Sequence, residues 1–444
     1  MRAALTFMRA RGAVPRPADG TLLLMAQFAA YVGLLALAAV AQSGLLKALA
    51  NVYAVVIFAL VAFAWMTRQH PPSRWASAVA LCWGLYMVGI ACSLVVNPRD
   101  LPWGDLVKLS LAPAFLIFGA AFERARHAPP AGQASAPVPW QRPVVRVLFG
   151  ALVLVPLLAW AAQLVQSGFQ VDGVRETSIF ANRNNAAVYA VTLLGLYTAL
   201  SGRPVRSLLA FLAVGVMFGT LGVLLAVLLA LALTVARVRE LLLLAVLVAL
   251  GAGGYLLFPD LGPYVRVRPL VDSVRLLLEG RLNLHTVSFG ELVLMLNTSD
   301  LSFLFRLKHW VDLVYLYAQG DVYQLLFGHG AASATRLSEM RLVPHNDYLR
   351  VLFEFGAVTL AGFVGMLALI LARCGRRWET VPLLVVVIYL FSENLVTNFT
   401  AIAFFYFTAG TLAERIATQR PAAPPEPARQ PRARSMIPAW GASR

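Results

Sequence analysis

Residues 343–372 read Val-Pro-His-Asn-Asp-Tyr-Leu-Arg-Val-Leu-Phe-Glu-Phe-Gly-Ala-Val-Thr-Leu-Ala-Gly-Phe-Val-Gly-Met-Leu-Ala-Leu-Ile-Leu-Ala. From residue 348 onward the run is long enough to cross a bilayer, since about 20 apolar residues at roughly 1.5 Å each span a hydrocarbon core of about 30 Å. Just before it stand Pro344, His345, Asn346 and Asp347, side chains suited to water and head groups. A polar cluster at the mouth of an apolar span is therefore the feature from which the rest of the chain is read.

Comparable apolar runs occupy 22–40, 45–66, 75–96, 103–122, 144–166, 184–200, 241–258, 380–395 and 398–416. A further tract, 207–236, is too long for one ordinary span and is interrupted by Gly219-Thr220-Leu221-Gly222. Divided in two, it brings the expected total to twelve; one long tilted helix is the alternative. The composition agrees: 59% of the 444 residues are hydrophobic, 13% are charged and the mean hydropathy is +0.73. A water-soluble core of this size needs no such excess of apolar residues, so the fold class expected is an all-α polytopic membrane protein.

Charge orients it. With the N-terminus inside, and charges at span ends counted with the adjoining loop, the cytoplasmic segments hold 23 basic and 6 acidic residues. The opposite loops hold 11 basic and 14 acidic residues, and Lys47, Lys108 and Arg350 fall inside spans. This is the bias that lysine and arginine show in cytoplasmic loops, and it places both termini in the cytoplasm. The formal +16 then reflects topology and attraction to anionic membrane lipids, with no nucleic acid implied. Ala39-Val40-Ala41 resembles a signal-peptidase site, but the long apolar run before it reads as an uncleaved first helix. Cys82, Cys92 and Cys374 lie in or beside spans without metal-type spacing.

The expected organisation is therefore nine spans over 1–258, a large extracytoplasmic loop over 259–347, three spans over 348–416 and a disordered basic cytoplasmic tail over 417–444, with an Ala/Pro linker at 128–139. The large loop reads as folded. Leu270, Val274, Leu277, Leu278 and Leu282 recur at helical spacing, which fits a helix lying on the outer leaflet. A second helix covers about 302–319, with Phe303, Leu307, Trp310, Val314 and Tyr317 on one face and Arg306 and Lys308 projecting elsewhere.

Outer arginines are not explained by the topology rule. Arg183 on the loop at 167–183 and Arg306 on the large loop are candidates for a phosphate or diphosphate, because a guanidinium is permanently charged and binds such groups bidentately. His345 is the candidate proton acceptor, with Asn346 or Asp347 capping the following helix and Asp347 a possible partner for the ring. Arg350 and Glu354 stand one turn apart and read as a buried ion pair holding the span.

In these residues the chain resembles the O-antigen ligase and polymerase superfamily of membrane glycosyltransferases. The family pattern His-Asn-x-x-Leu followed by Glu-x-Gly is met by His345, Asn346, Leu349, Glu354 and Gly356. An Arg-x-x-x-Trp helix followed by a glycine-rich turn is met by Arg306, Trp310 and Leu326-Phe327-Gly328-His329-Gly330. An Asn-rich segment leading into a span is met by 178–185, with Asn182, Arg183 and Asn185. Many relatives carry a Ser-Arg pair in the span where this chain has Phe218-Gly219-Thr220-Leu221-Gly222, and Arg183 is the substitute for that arginine.

The resemblance implies a GT-C-like fold and an O-antigen ligase of the bacterial inner membrane. Such an enzyme transfers polysaccharide from undecaprenyl diphosphate to the lipid A-core oligosaccharide on the periplasmic side. It implies His345 as catalytic base and Arg183 and Arg306 on the donor diphosphate, with Asn182, Asn185, Trp310, Asn346, Asp347, Arg350 and Glu354 supporting. The donor is already activated, so no nucleotide cofactor is expected, and no glycine-rich phosphate loop occurs. No Asp-x-Asp pair occurs in the outer loops, and His309, His329 and His345 lack ligand spacing, so no metal is expected either. An O-antigen polymerase or protein O-oligosaccharyltransferase of the same superfamily is the alternative. In a different class, a lipid or solute transporter would use Arg350, Glu354, Glu393 and Asn394 for translocation.

Overall fold

The computed structural model describes residues 17–66, 73–96, 103–127, 139–167, 179–180, 183–203, 221–234, short pieces between 242 and 257, 268–280, 282–296 and 302–419. The expected linker at 128–138, the first half of the 207–236 tract, most of the 241–258 span, Asn182 and the tail from 420 lie outside the described residues, as does the side chain of Arg183.

The described chain is all-helical. Its first part comprises α1 (Pro17–Val40), α2 (Gly44–Met66), α3 (Arg74–Val96), α4 (Trp103–Leu111), α5 (Ala114–His127), α6 (Pro143–Gln166), α7 (Arg183–Ser201) and α8 (Leu221–Thr234). The segment between spans adds α9 (Arg268–Leu278), α10 (Phe289–Leu296), α11 (Ser302–Ala318), α12 (Val322–Phe327) and α13 (Ser333–Leu337). The last part is α14 (Asp347–Cys374), α15 (Val381–Tyr389) and α16 (Phe399–Gln419). By length and composition, five segments among the described residues can cross a membrane: Leu22–Val40, Arg74–Val95, Gly104–Arg124, Pro143–Gln166 and Asp347–Cys374. Their packed faces bury Phe28, Tyr86, Phe115 and Phe363, while Leu81, Val95, Val147 and Leu158 on the outer faces are each more than 65% exposed. Helices that are apolar all round, with large aliphatic residues left outside, are built for lipid rather than water.

The most extensive packing is of α5 with α16, α3 with α14, α1 with α6 and with α2, and α8 with α15, followed by α7 with α16. At the α5–α16 crossing, Gly119 lies against the Phe407 carbonyl and Gly410 against the Leu116 carbonyl, where a Cβ on either would collide with backbone. Small residues permit this approach, and dispersion replaces the hydrophobic drive that lipid does not supply. Further along the same pair, Glu123 binds Arg415 at 2.7 Å and Arg124 binds Glu414 at 2.9 Å. Arg415 also donates to the carbonyl of Thr198 at 3.2 Å, tying in the end of α7.

Three expected spans differ in detail. The 103–122 span is divided at Pro113 into α4 and α5, and Trp83 Nε1 donates to the Ser110 carbonyl at 2.9 Å beside the break. Proline lacks an N–H and clashes with the preceding turn, which accounts for the interruption. The 380–395 span is helical only to Tyr389; the polar Ser392, Glu393 and Asn394 follow, and Glu393 pairs with residues of other segments. Asn398 then caps α16, its side chain accepting from the Ala401 N–H at 3.4 Å.

The 348–372 span is broken at Gly356, whose φ is +80°. Gly328, at φ +79°, faces it: each glycine lies against the other segment's backbone, so neither place has room for a side chain. The break exposes carbonyls that lipid cannot satisfy. Here the His329 N–H donates to the Phe353 carbonyl at 2.9 Å and the Gly330 N–H to the Glu354 carbonyl at 3.1 Å. The glycine-rich turn thus plugs the gap in α14.

The segment between spans has a small core of Leu282, Leu284, Leu292 and Leu304, with Leu276 and Leu277 packed on it. Val274 and Leu278 of the expected apolar stripe stay outside that core and are exposed, Leu278 by 84%. On α11 the buried line runs through Leu304, Lys308, His309 and Leu313, whereas Val314 is exposed. Lys308 projects away from the expected apolar face yet is 1% exposed, bonded to Asp312 at 3.1 Å and Glu339 at 2.9 Å. Paired carboxylates make that burial possible, and apolar spacing does not register such pairs.

Candidate active site

His345 sits immediately before α14. Asn346 is the N-cap, its side chain accepting from the Leu349 N–H at 3.0 Å, which leaves His345 at the end of the incoming loop with its side chain 32% exposed. Behind that loop, buried His309 approaches the Leu342 carbonyl through Nε2 at 3.1 Å. A carbonyl can only accept, so Nε2 donates this bond, and burial pushes the His309 pKa down. The loop that presents His345 is thereby anchored to α11.

The ring of His345 faces Glu393. Its Nδ1 lies 3.5 Å from Glu393 Oε2, an electrostatic contact slightly too long for a well-formed hydrogen bond. The other carboxylate oxygen, Oε1, accepts from Asn184 Nδ2 at 2.8 Å and from Arg306 Nη2 at 3.2 Å. Glu393 itself is 2% exposed and lies in the irregular segment beyond α15. A buried anion thus joins four separate pieces of chain: α7, α11, the loop before α14 and the segment after α15.

Arg306 is 27% exposed, so only part of its guanidinium is committed to Glu393. One turn along α11, Trp310 packs edge-on against Phe391 at 5.2 Å, which fixes the helix against the Glu393 segment. Arg183 begins α7 and directly precedes Asn184, and Asn185 is buried one residue further on.

Asp347 does something other than orient the ring. It is fully buried; its Oδ2 accepts from the N–H groups of Leu395 at 2.6 Å and Val396 at 3.0 Å, and its own N–H donates to the Leu390 carbonyl at 2.8 Å. The expectation that it partners His345 is therefore corrected: Glu393 occupies that place, because Asp347 starts the helix and its carboxylate is taken by backbone donors. Arg350 and Glu354 are bonded to each other at 3.2 Å, and Arg350 reaches Asp105 of α4 at 3.4 Å. They form a separate buried cluster that joins α14 to α4.

The structure thus brings Arg306 and His345 together through two residues that sequence reasoning did not select for this chemistry. Asn184 lay unremarked in the Asn-rich segment. Glu393 was considered only for translocation, although an acidic residue interrupting an apolar run is itself a signal. Chemically, the arrangement can bind an anion on the exposed part of Arg306 and accept a proton on His345. A hydrogen on Nδ1, which faces Glu393, would leave the ring lone pair on Nε2. Among the described residues no three His, Cys, Asp or Glu side chains gather as a metal-binding group. No protein-family model and no curated protein matches the chain.

Proposed function

We propose that this chain is an O-antigen ligase with twelve spans and a GT-C-like fold, located in the bacterial inner membrane with both termini cytoplasmic and residues 259–347 periplasmic. The single observation that carries the reading is the placement of His345 and Arg306 on opposite oxygens of buried Glu393 at the mouth of a membrane helix. One group suits an acceptor proton and the other a diphosphate, and the two are close enough to serve one reaction.

In the proposed reaction an acceptor hydroxyl of the lipid A-core oligosaccharide attacks the anomeric carbon of the undecaprenyl-diphosphate-linked glycan. The new glycosidic C–O bond forms as the bond from that carbon to the diphosphate oxygen breaks, and the electron pair leaves with the diphosphate. The hydroxyl proton passes to Nε2 of His345, a general-base contribution of about 10²- to 10⁴-fold. Arg306, with Arg183 at the head of α7, stabilises the negative charge that grows on the leaving group. Glu393 holds the histidine tautomer, as a carboxylate behind a catalytic imidazole does. Single displacement inverts the anomeric centre, and the arginines rather than a metal neutralise the diphosphate.

The test is reconstitution of the purified protein with undecaprenyl-diphosphate-linked O-antigen and lipid A-core acceptor, with and without EDTA. Chelator-insensitive formation of the glycosylated acceptor is the expected result. Transfer to a second polyprenyl-linked glycan or to a protein acceptor instead would reassign the chain within the superfamily. Movement of intact lipid with no new glycosidic bond would favour a transporter.

A further inference from the structure

Asp347 stands two residues from His345, yet its carboxylate is turned away from the ring and into the chain that follows α15. There it accepts two consecutive N–H groups, those of Leu395 and Val396, at 2.6 and 3.0 Å. Its own N–H closes the loop on the other side by donating to the Leu390 carbonyl at 2.8 Å. These three bonds bracket Glu393, two residues before Leu395 and three after Leu390. The side chain of Asp347 is completely buried, so no water competes for the donors. A buried carboxyl oxygen that accepts two adjacent backbone N–H groups clamps a non-helical segment.

The segment so clamped carries both groups that complete the site: Glu393, between His345 and Arg306, and Phe391, against Trp310. Turns hold its two ends, from Phe391 and Ser392 back to Ile388 and Tyr389 and from Asn398 to Leu395, and the Asp347 bonds lie between the helix end at Tyr389 and the start of α16 at Phe399. We infer that Asp347 is a positioning residue for the proposed transfer, acting through backbone N–H groups to hold Glu393 opposite His345 and Arg306. This inference rests on the transferase reading for its kinetic consequence, whereas the clamp itself does not. What matters is the acceptor oxygen, since both N–H groups bind the same Oδ2. An asparagine amide oxygen can occupy that place, so Asp347→Asn preserves the clamp and Asp347→Ala removes it. Misplacing a catalytic group by about 1 Å lowers turnover by about 10²-fold.

Two measurements separate the clamp from the reaction. Hydrogen–deuterium exchange of the peptide covering 390–398, on the full-length protein in detergent, is expected to show lost protection in Asp347→Ala and near wild-type protection in Asp347→Asn. Turnover with the polyprenyl-diphosphate donor is expected to fall about 10²-fold in Asp347→Ala with donor affinity unchanged, and to remain close to wild type in Asp347→Asn. Adding Asp347→Ala to Glu393→Gln should lower turnover little further, because both changes disable one unit. Full multiplication of the two losses, or an Asn variant as impaired as the Ala variant, would overturn the inference. Should the Ala variant not accumulate, Asp347→Asn decides alone: loss of protection at 390–398 in that variant also overturns it. If exchange behaves as expected while the wild type transfers no glycan to any acceptor, the clamp stands and the transferase reading fails.

Discussion

Two clusters of buried charge invite comparison. Between α5 and α16, Glu123 and Arg124 face Arg415 and Glu414 reciprocally, and every one of the four side chains is less than 20% exposed. Around Glu393 the carboxylate is as deeply buried, but two of its partners are not: Arg306 and His345 are 27% and 32% exposed. The first cluster is closed on itself and its guanidinium donors also bind backbone carbonyls of α7, so it joins helices. The second is closed on the side of Glu393 and open on the side of Arg306 and His345. The Arg350 cluster with Glu354 and Asp105 lies between the two: Arg350 is 5% exposed and already bound to two acids, which suits structure rather than substrate.

Perturbing the open cluster should change chemistry, and perturbing the closed one should change abundance. The largest effect on turnover is expected from His345→Ala, about 10²- to 10⁴-fold, since the acceptor proton loses its base. Arg306→Ala should lower turnover by about 10²- to 10³-fold, with Lys restoring only part, because an ammonium keeps the charge but not the planar fork. Arg183→Ala should resemble it in the same transfer assay. Glu393→Gln should lower turnover by about 10²-fold, at the low end of these ranges, since the ring stays in place without its anionic partner; a loss beyond that of His345→Ala would mean that Glu393 acts on substrate directly.

In the closed cluster, Glu123→Gln leaves Arg415 without its anion, and removing one member of a buried pair destabilises by about 3–5 kcal/mol. The expected readout is a lower thermal midpoint and lower yield, with turnover per folded molecule unchanged. The reciprocal exchange, Glu123→Arg with Arg415→Glu, should recover part of the midpoint. A fall in specific activity in either variant would break the distinction between the clusters.

Much of this architecture is legible in the chain because lipid imposes a simple rule on composition and length. Runs such as 144–166 and 348–372 appear as α6 and α14 with nearly the expected bounds. Of the site, the order His345-Asn346 at a span mouth and Arg306 one turn before Trp310 could be read directly. What composition does not encode is where helices stop inside apolar sequence and what their polar residues meet there. Gly356 breaks α14 only because the turn at Gly328 is present to satisfy its carbonyls, a pairing between residues far apart in sequence. Glu393 was passed over for the same reason, since its meaning comes from Asn184, Arg306 and His345 converging from three other segments. Lys308 is buried against the sense of its side chain because Asp312 and Glu339 accompany it.

The central claim is that His345 takes the acceptor proton while Arg306 holds the donor, so binding and chemistry must separate. The most direct measurement is a single-turnover experiment on wild type and His345→Ala, each preloaded with undecaprenyl-diphosphate-linked glycan, with donor affinity determined in parallel. The account predicts unchanged donor affinity and a rate of glycan transfer to the lipid A-core acceptor lower by about 10²-fold or more in the variant. A variant that transfers at close to the wild-type rate, or that loses transfer only because it no longer binds donor, would contradict it.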